Sequence, residues 1–391
     1  MVLQNTGNRL ARPHFDWPLC LITFALAVFG VIAVSITNFD PSLEPDRPLL
    51  KLITDSGNGS WQAIYLLISP IAIAGVMFFN YQFLGRIWPV LYITSCVLLV
   101  TVLGARYMDG DSGTFSRWFA LLWDRTLQPS ELAKIVIIIS LSSELSRHEK
   151  PVPNIKYFLR LLAHVAIPMA LIILQPDIGT MLVLIIVFLA LLLAAGCSLK
   201  LWFGIIAAGV MALIPVGMYL QRTESFRWMR LISFIDPELY SDAGGYQMLH
   251  SMLAVGAGGL TGVGMFVDGT LTQLNYVPEN HTDFIFSSIG ETMGFVGAMI
   301  LLALYAMLFY RMLLLAYNTP DRFGRLIIIG VMAMLMFHVF ENVGMNIGVM
   351  PITGIPLPFI SFGGSNLIAN MGGVALVLNV TARKRGVRRR Y

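Results

Sequence analysis

Asp283 is the residue best placed to do chemistry. It closes a polar, glycine-rich stretch beginning at Gly244, and Phe284-Ile285-Phe286 and a long apolar run follow it at once. An acid delivered to the mouth of a membrane segment needs partners or water, and such groups mark functional sites. A general base needs reach first and a suitable pKa second. Apolar neighbours would raise the pKa of Asp283, and nearby arginines would lower it. The plainer alternative is an acid in a first helical turn, favoured by the macrodipole, with Thr282 as the cap. His281 could serve as the base instead, although a lone histidine in a polar loop is more often a surface residue. Glu291 lies two turns further along the same apolar run, and Glu341 and Asn342 lie within another. Buried acids need partners; the external arginines and Lys134 are the candidates.

A second group is Ser130-Glu131-Leu132-Ala133-Lys134. Glu131 and Lys134 are three apart, share a helical face and can pair. Ser130 as a cap, Glu131 at a helix start and Lys134 reaching outward make the ordinary reading. Yet Lys134 directly precedes an isoleucine-rich run, where a charge prefers a cavity. Arg222, Arg227 and Arg230 alternate with Phe226 and Trp228. They suit either an interfacial anchor or a clamp on a phosphate or pyrophosphate. Gln175-Pro176-Asp177-Ile178-Gly179-Thr180 reads as a turn in which Asp177 caps the next helix. Pro351 to Asn366 is rich in proline and glycine and holds no titratable residue, so it is expected to fold back and wall a cavity.

These groups must be held by membrane helices. The 391 residues are 57% hydrophobic and 12% charged, against about 25% charged in soluble domains. A bilayer core takes about 20 apolar residues per helix. Ten spans are expected, at 17–36, 62–80, 87–105, 131–146, 157–174, 178–196, 200–220, 284–310, 326–346 and 366–381. With the N-terminus inside, most of the 26 Lys and Arg residues fall in cytoplasmic segments, as the positive-inside rule requires. The expected architecture is therefore an all-α, polytopic membrane protein forming one domain over 1–391. Residues 1–16 form a cytoplasmic N-terminus, 221–283 a large external loop before the eighth helix, and 382–391 a basic cytoplasmic tail. The first span, with no small-residue cleavage site, reads as a retained helix. The tail holds topology and touches anionic membrane lipid, with no nucleic-acid partner expected. Cys20, Cys96 and Cys197 stand at no metal spacing and read as packing residues.

Taken in order, several motifs resemble one family, the SEDS proteins. They are Arg117-Trp118, Gln128-Pro129-Ser130-Glu131-Leu132-Ala133-Lys134, Gln175 to Thr180 and Gly245-Tyr246-Gln247. Pro278-Glu279, His281-Thr282-Asp283-Phe284-Ile285-Phe286 and Ser361-Phe362-Gly363-Gly364-Ser365 complete the set. Gly269 to Leu274 is closer to the elongation type, RodA, than to the division type. Glu291-Thr292, where the family often has two acids, Arg125 and Phe362 depart from the family pattern. The resemblance implies a peptidoglycan glycosyltransferase of the bacterial cytoplasmic (inner) membrane. Such an enzyme polymerises lipid II at the external face during elongation, beside a class B penicillin-binding protein acting as transpeptidase.

On that resemblance Asp283 is the expected catalytic base. Glu131, Lys134, Arg117, Arg227, Arg230, His281 and Glu291 are the expected substrate-binding residues. Lys134 and the arginines, or a divalent cation (Mg or Mn), would stabilise charge developing on the pyrophosphate. Two other readings stay open: a lipid II flippase, which would need polar groups along a path through the membrane, and a non-catalytic scaffold of the wall-synthesis complex.

Overall fold

The computed structural model describes residues 15–38, 48–108, 119–121, 125–148, 152, 154–223, 229, 232–240 and 244–383. Its helices in chain order are α1 (Trp17–Thr37), α2 (Leu49–Asp55), α3 (Gly57–Phe78), α4 (Tyr81–Met108), α5 (Pro129–Ser146) and α6 (Ile155–Leu174). There follow α7 (Ile178–Ala194), α8 (Leu199–Arg222), α9 (Gly245–Ala257), α10 (Ile285–Tyr317), α11 (Arg322–Asn346) and α12 (Gly364–Ala382). Each of the ten expected spans is a helix. Eight are long and apolar enough to cross a membrane; α7 has 17 residues, and α5 carries Glu131, Lys134 and Glu144. A two-stranded antiparallel ribbon, β1 (Phe119–Leu121) with β2 (Arg125–Leu127), leads into α5. Two further helices stand between the expected spans: α2 lies between the first two, and the helix Gly245–Ala257 lies within the expected large loop.

Local sequence explains where several helices begin. Asp16, Asn154, Asp177, Ser198 and Asp321 each accept a backbone N–H of the first turn of α1, α6, α7, α8 and α11. This satisfies donors that have no partner within the helix.

The core gathers on α5, α7, α11 and α12. Ile138, Leu184, Val187, Leu191, Ile327, Leu335 and Val377 are fully buried there. By contrast α3, α4 and α8 expose large apolar side chains, among them Leu67, Ile71, Val90, Phe203 and Met211. An outward apolar surface of that extent matches a lipid environment, and the chain is a multi-pass membrane protein.

At one end of the bundle Arg311 donates twice to Asp16, at 3.0 and 2.7 Å, tying α10 to the start of α1. Glu144 lies 3.7 Å from Arg147 and 3.5 Å from Arg160, again at that end. The opposite end holds the long stretch before α10. There α10 is broken at Gly294 (φ 65°, ψ −165°). Residues 258–264 fill the break: Phe295 and Val296 N–H donate to Gly259 and Leu260 C=O, at 2.9 and 3.1 Å. In return Val263 and Gly264 N–H donate to Glu291 and Thr292 C=O, at 2.9 and 3.1 Å. The approach requires glycine, because a Cβ at Gly262 would stand 2.2 Å from Thr292 O and one at Gly294 2.3 Å from Gly262 N. Backbone groups freed by the break are thus paired by another segment, as an apolar setting demands.

Candidate active site

Asp283 stands two residues before α10, at the end of a loop bolted to the segment between α11 and α12. Its backbone C=O accepts from Asn342 Nδ2 at 2.8 Å and Asn346 Nδ2 at 3.1 Å, both on α11. One residue back, Thr282 C=O accepts from Ser361 Oγ at 2.6 Å, and His281 C=O accepts from Phe362 N at 2.9 Å. The expected Thr282 cap is not formed. Phe284 occupies the N-cap position of α10, and Thr282 Oγ1 instead donates to Glu279 Oε2 at 2.9 Å. The Asp283 carboxylate packs against Gly354, where an added Cβ would lie 3.2 Å from its Oδ2.

The Glu131–Lys134 pair is formed, and it is buried. Pro129 takes the first turn of α5 and Gln128 the N-cap position, so Ser130 does not cap; its Oγ donates to Asp177 Oδ2 at 3.4 Å. Lys134, only 2% exposed, does not reach outward. Its Nζ donates to Glu131 Oε1 at 2.8 Å and lies 2.8 Å from His338 Nε2 on α11. Across from them Asp177 caps α7 as expected, accepting from Thr180 N at 3.0 Å and Thr180 Oγ1 at 2.9 Å. It also accepts from Gln128 Nε2 at 3.1 Å.

These side chains surround one cavity of about 220 Å³. Glu131, Lys134, Asp177, Glu279, Asp283 and His338 supply its charged and titratable lining, and the segment from Gly354 to Gly363 walls it as anticipated. Among the described residues two atoms of the lining are buried without a hydrogen-bond partner, Glu131 Oε2 and Asn366 Nδ2. Native interiors rarely leave such atoms unsatisfied, so the cavity has the character of a polar ligand site. Among the described residues no group of three or more His, Cys, Asp or Glu side chains is disposed to hold a metal ion.

Several expected residues stand elsewhere. Glu291 does not line the cavity. Its carboxylate accepts from Leu271 N at 2.6 Å, Thr272 N at 2.9 Å and Thr272 Oγ1 at 2.5 Å, which makes it the anchor of the 270–273 turn. His281 is also outside the lining; its ring packs on Phe362 with centroids 5.8 Å apart. Burial there lowers its pKa, against an opposing pull from Glu279. Glu341 pairs neither with an arginine nor with Lys134 among the described residues, and accepts instead from Thr353 Oγ1 at 2.5 Å. Arg117, Arg227 and Arg230 lie outside the described residues.

His338 was not anticipated. A signal was present: His338, Glu341, Asn342 and Asn346 follow one another at helical spacing within an apolar span, and all four are fully buried. That polar stripe on α11 faces the site.

The chain matches the family model described as a cell cycle protein of the FtsW, RodA and SpoVE type over residues 19–386. It is 37% identical over 297 residues to the peptidoglycan glycosyltransferase MrdB of Escherichia coli K12, covering 76% of this chain and 78% of that one. The peptidoglycan glycosyltransferase RodA of Treponema pallidum is 28% identical, over 95% of this chain and 98% of its own length. Among solved structures, a peptidoglycan synthase complex that coordinates polymerization and crosslinking contains a chain that superposes with a TM-score of 0.76. That chain is 28% identical, with 95% of this chain and 99% of it covered. The rod shape determining protein RodA of Thermus thermophilus gives a TM-score of 0.66 at 27% identity, over 97% of this chain and 99% of its own. With the family model spanning nearly the whole sequence and a RodA-like fold beneath it, the chain belongs to the FtsW, RodA and SpoVE family.

Proposed function

We propose that the protein is a peptidoglycan glycosyltransferase that polymerises lipid II at the external face of the bacterial cytoplasmic membrane. The observation that carries the chemistry is that a carboxylate and a locked ammonium, Asp283 and Lys134, line the same cavity. Asp283 takes the proton of an acceptor sugar hydroxyl as that oxygen bonds to the anomeric carbon of the donor. The bond from that carbon to the pyrophosphate oxygen breaks, and undecaprenyl pyrophosphate leaves with inversion. Negative charge grows on the leaving oxygens, where Lys134 is a fixed donor requiring little reorganisation. Arg227 and Arg230 remain proposed partners for the same charge.

The basic residues support this sidedness. The end carrying Arg147, Arg160, Arg311, Arg322 and Arg383 is cytoplasmic under the positive-inside rule, which puts Asp283 outside. A class B penicillin-binding protein is the proposed partner, supported by the neighbouring synthase complex in which polymerization and crosslinking are coordinated.

The test is polymerisation of labelled lipid II by the purified chain with that partner, comparing wild type with Asp283→Asn. Long glycan from wild type and none from an equally folded variant is expected. Equal polymer from both would remove Asp283 as the base. No polymer from either would point to translocation, and a flippase assay would decide it.

A further inference from the structure

We propose that His338 is a positioning residue that holds the Lys134 ammonium through Nε2 and aims it into the cavity. The proposal rests on the glycosyltransferase reading for its catalytic consequence, but the pairing itself stands on geometry alone.

The hydrogen bonds fix the tautomer. His338 Nδ1 lies 2.6 Å from Met334 C=O, which can only accept, so Nδ1 carries the proton. Nε2 then presents its lone pair 2.8 Å from Lys134 Nζ, which can only donate. An ammonium has three N–H groups. Among the described residues one goes to Glu131 and one to His338, and the third is left for the cavity that Lys134 lines. Two anchors on different helices are what make the direction unique. With Glu131 alone, on the same helix, the flexible lysine stem could swing about a single contact. His338 and Lys134 are 0% and 2% exposed, so the pair is held away from bulk solvent. The aim of the donor is therefore set by α11, the helix that also holds the Asp283 backbone through Asn342 and Asn346. One helix registers both the proposed base and the proposed ammonium.

The test has two arms, each on the full chain in detergent. In the first, histidine is labelled with nitrogen-15, and the His338 signals are identified by their loss in His338→Gln. Wild type should show a protonated Nδ1 and an unprotonated Nε2, and the double variant Glu131→Gln with Lys134→Met, which strands no buried charge, should move the Nε2 signal while leaving Nδ1 in place. A protonated Nε2 in wild type, or an Nε2 signal indifferent to that double variant, would overturn the pairing whether or not the chain polymerises lipid II. The second arm compares turnover of wild type, His338→Leu and His338→Gln at matched thermal stability. A displaced catalytic group costs on the order of 100-fold, so Leu should lose roughly 10- to 100-fold. Gln, whose amide oxygen can accept from Lys134, should recover most of it. Equal activity in Leu and wild type, or no recovery with Gln, would overturn the positioning role.

Discussion

Gly354 and Asp283 are matched by shape. The glycine has φ +73°, and the carboxylate occupies the space beside its missing side chain, 3.2 Å from where a Cβ would be. The site thus depends on an absent methyl group. Gly354→Ala should push the Asp283 carboxylate by a few tenths of an ångström and reduce turnover by less than the roughly 100-fold of a 1 Å misplacement. The left-handed backbone would add a stability cost of roughly 1 kcal/mol. Parallel turnover and thermal-unfolding measurements would separate the two effects, and an unchanged rate would show that Asp283 has room to spare.

Lys134→Met should be strongly destabilising, because it leaves Glu131 buried without its counter-charge. Breaking a buried pair from one side costs roughly 3–5 kcal/mol. The double variant Glu131→Gln with Lys134→Met should regain most of that stability and none of the activity. Thermal unfolding in detergent and the polymerisation assay together check both halves.

Glu291→Gln should loosen the 270–273 turn rather than alter substrate contacts. The carboxylate accepts from two backbone N–H groups and a hydroxyl, and an amide would present N–H₂ to at least one donor. A loss of roughly 1.5–3 kcal/mol follows for a charged hydrogen-bond acceptor. Limited proteolysis should cut this turn faster than in wild type. Unaltered cleavage would argue against the anchor.

His281 carries a pH signature. Burial lowers its pKa from the ordinary 6.5, so the folded loop resists a proton that the unfolded chain accepts. Stability should be full above about pH 6.5 and decline as the pH falls below that value. His281→Phe should flatten that slope in thermal unfolding. Because the imidazole does not line the cavity, His281→Gln should keep most of the activity; a complete loss would return His281 to the list of candidate bases.

The ten helical segments were legible because apolar runs of membrane length leave few alternatives, and the walling role of Pro351 to Asn366 was legible from its prolines and glycines. Glu131 and Lys134 could be paired on paper because they sit three apart on one helix. His338 could not: it comes from a helix some two hundred positions away, and an isolated histidine in an apolar span reads as core. Only the polar stripe it shares with Glu341, Asn342 and Asn346 marks it. Glu291 misled for the opposite reason. Its sequence position beside Asp283 suggested a shared site, but the carboxylate turns to the loop that folds back over α10. Ser130 and Thr282 look like caps, yet Pro129 starts α5 one residue earlier and Phe284 takes the cap position of α10.

The break at Gly294 ties the biogenesis of α10 to a segment made before it. Gly294 lies about 14 Å along the helix, at 1.5 Å rise per residue, and the peptide groups on either side are completed by residues 258–264. During synthesis that segment emerges first, with nothing yet to stitch into. The second half of the pair arrives only when α10 itself is inserted. Loop docking can therefore come no earlier than the synthesis of α10, whose head follows Asp283 directly.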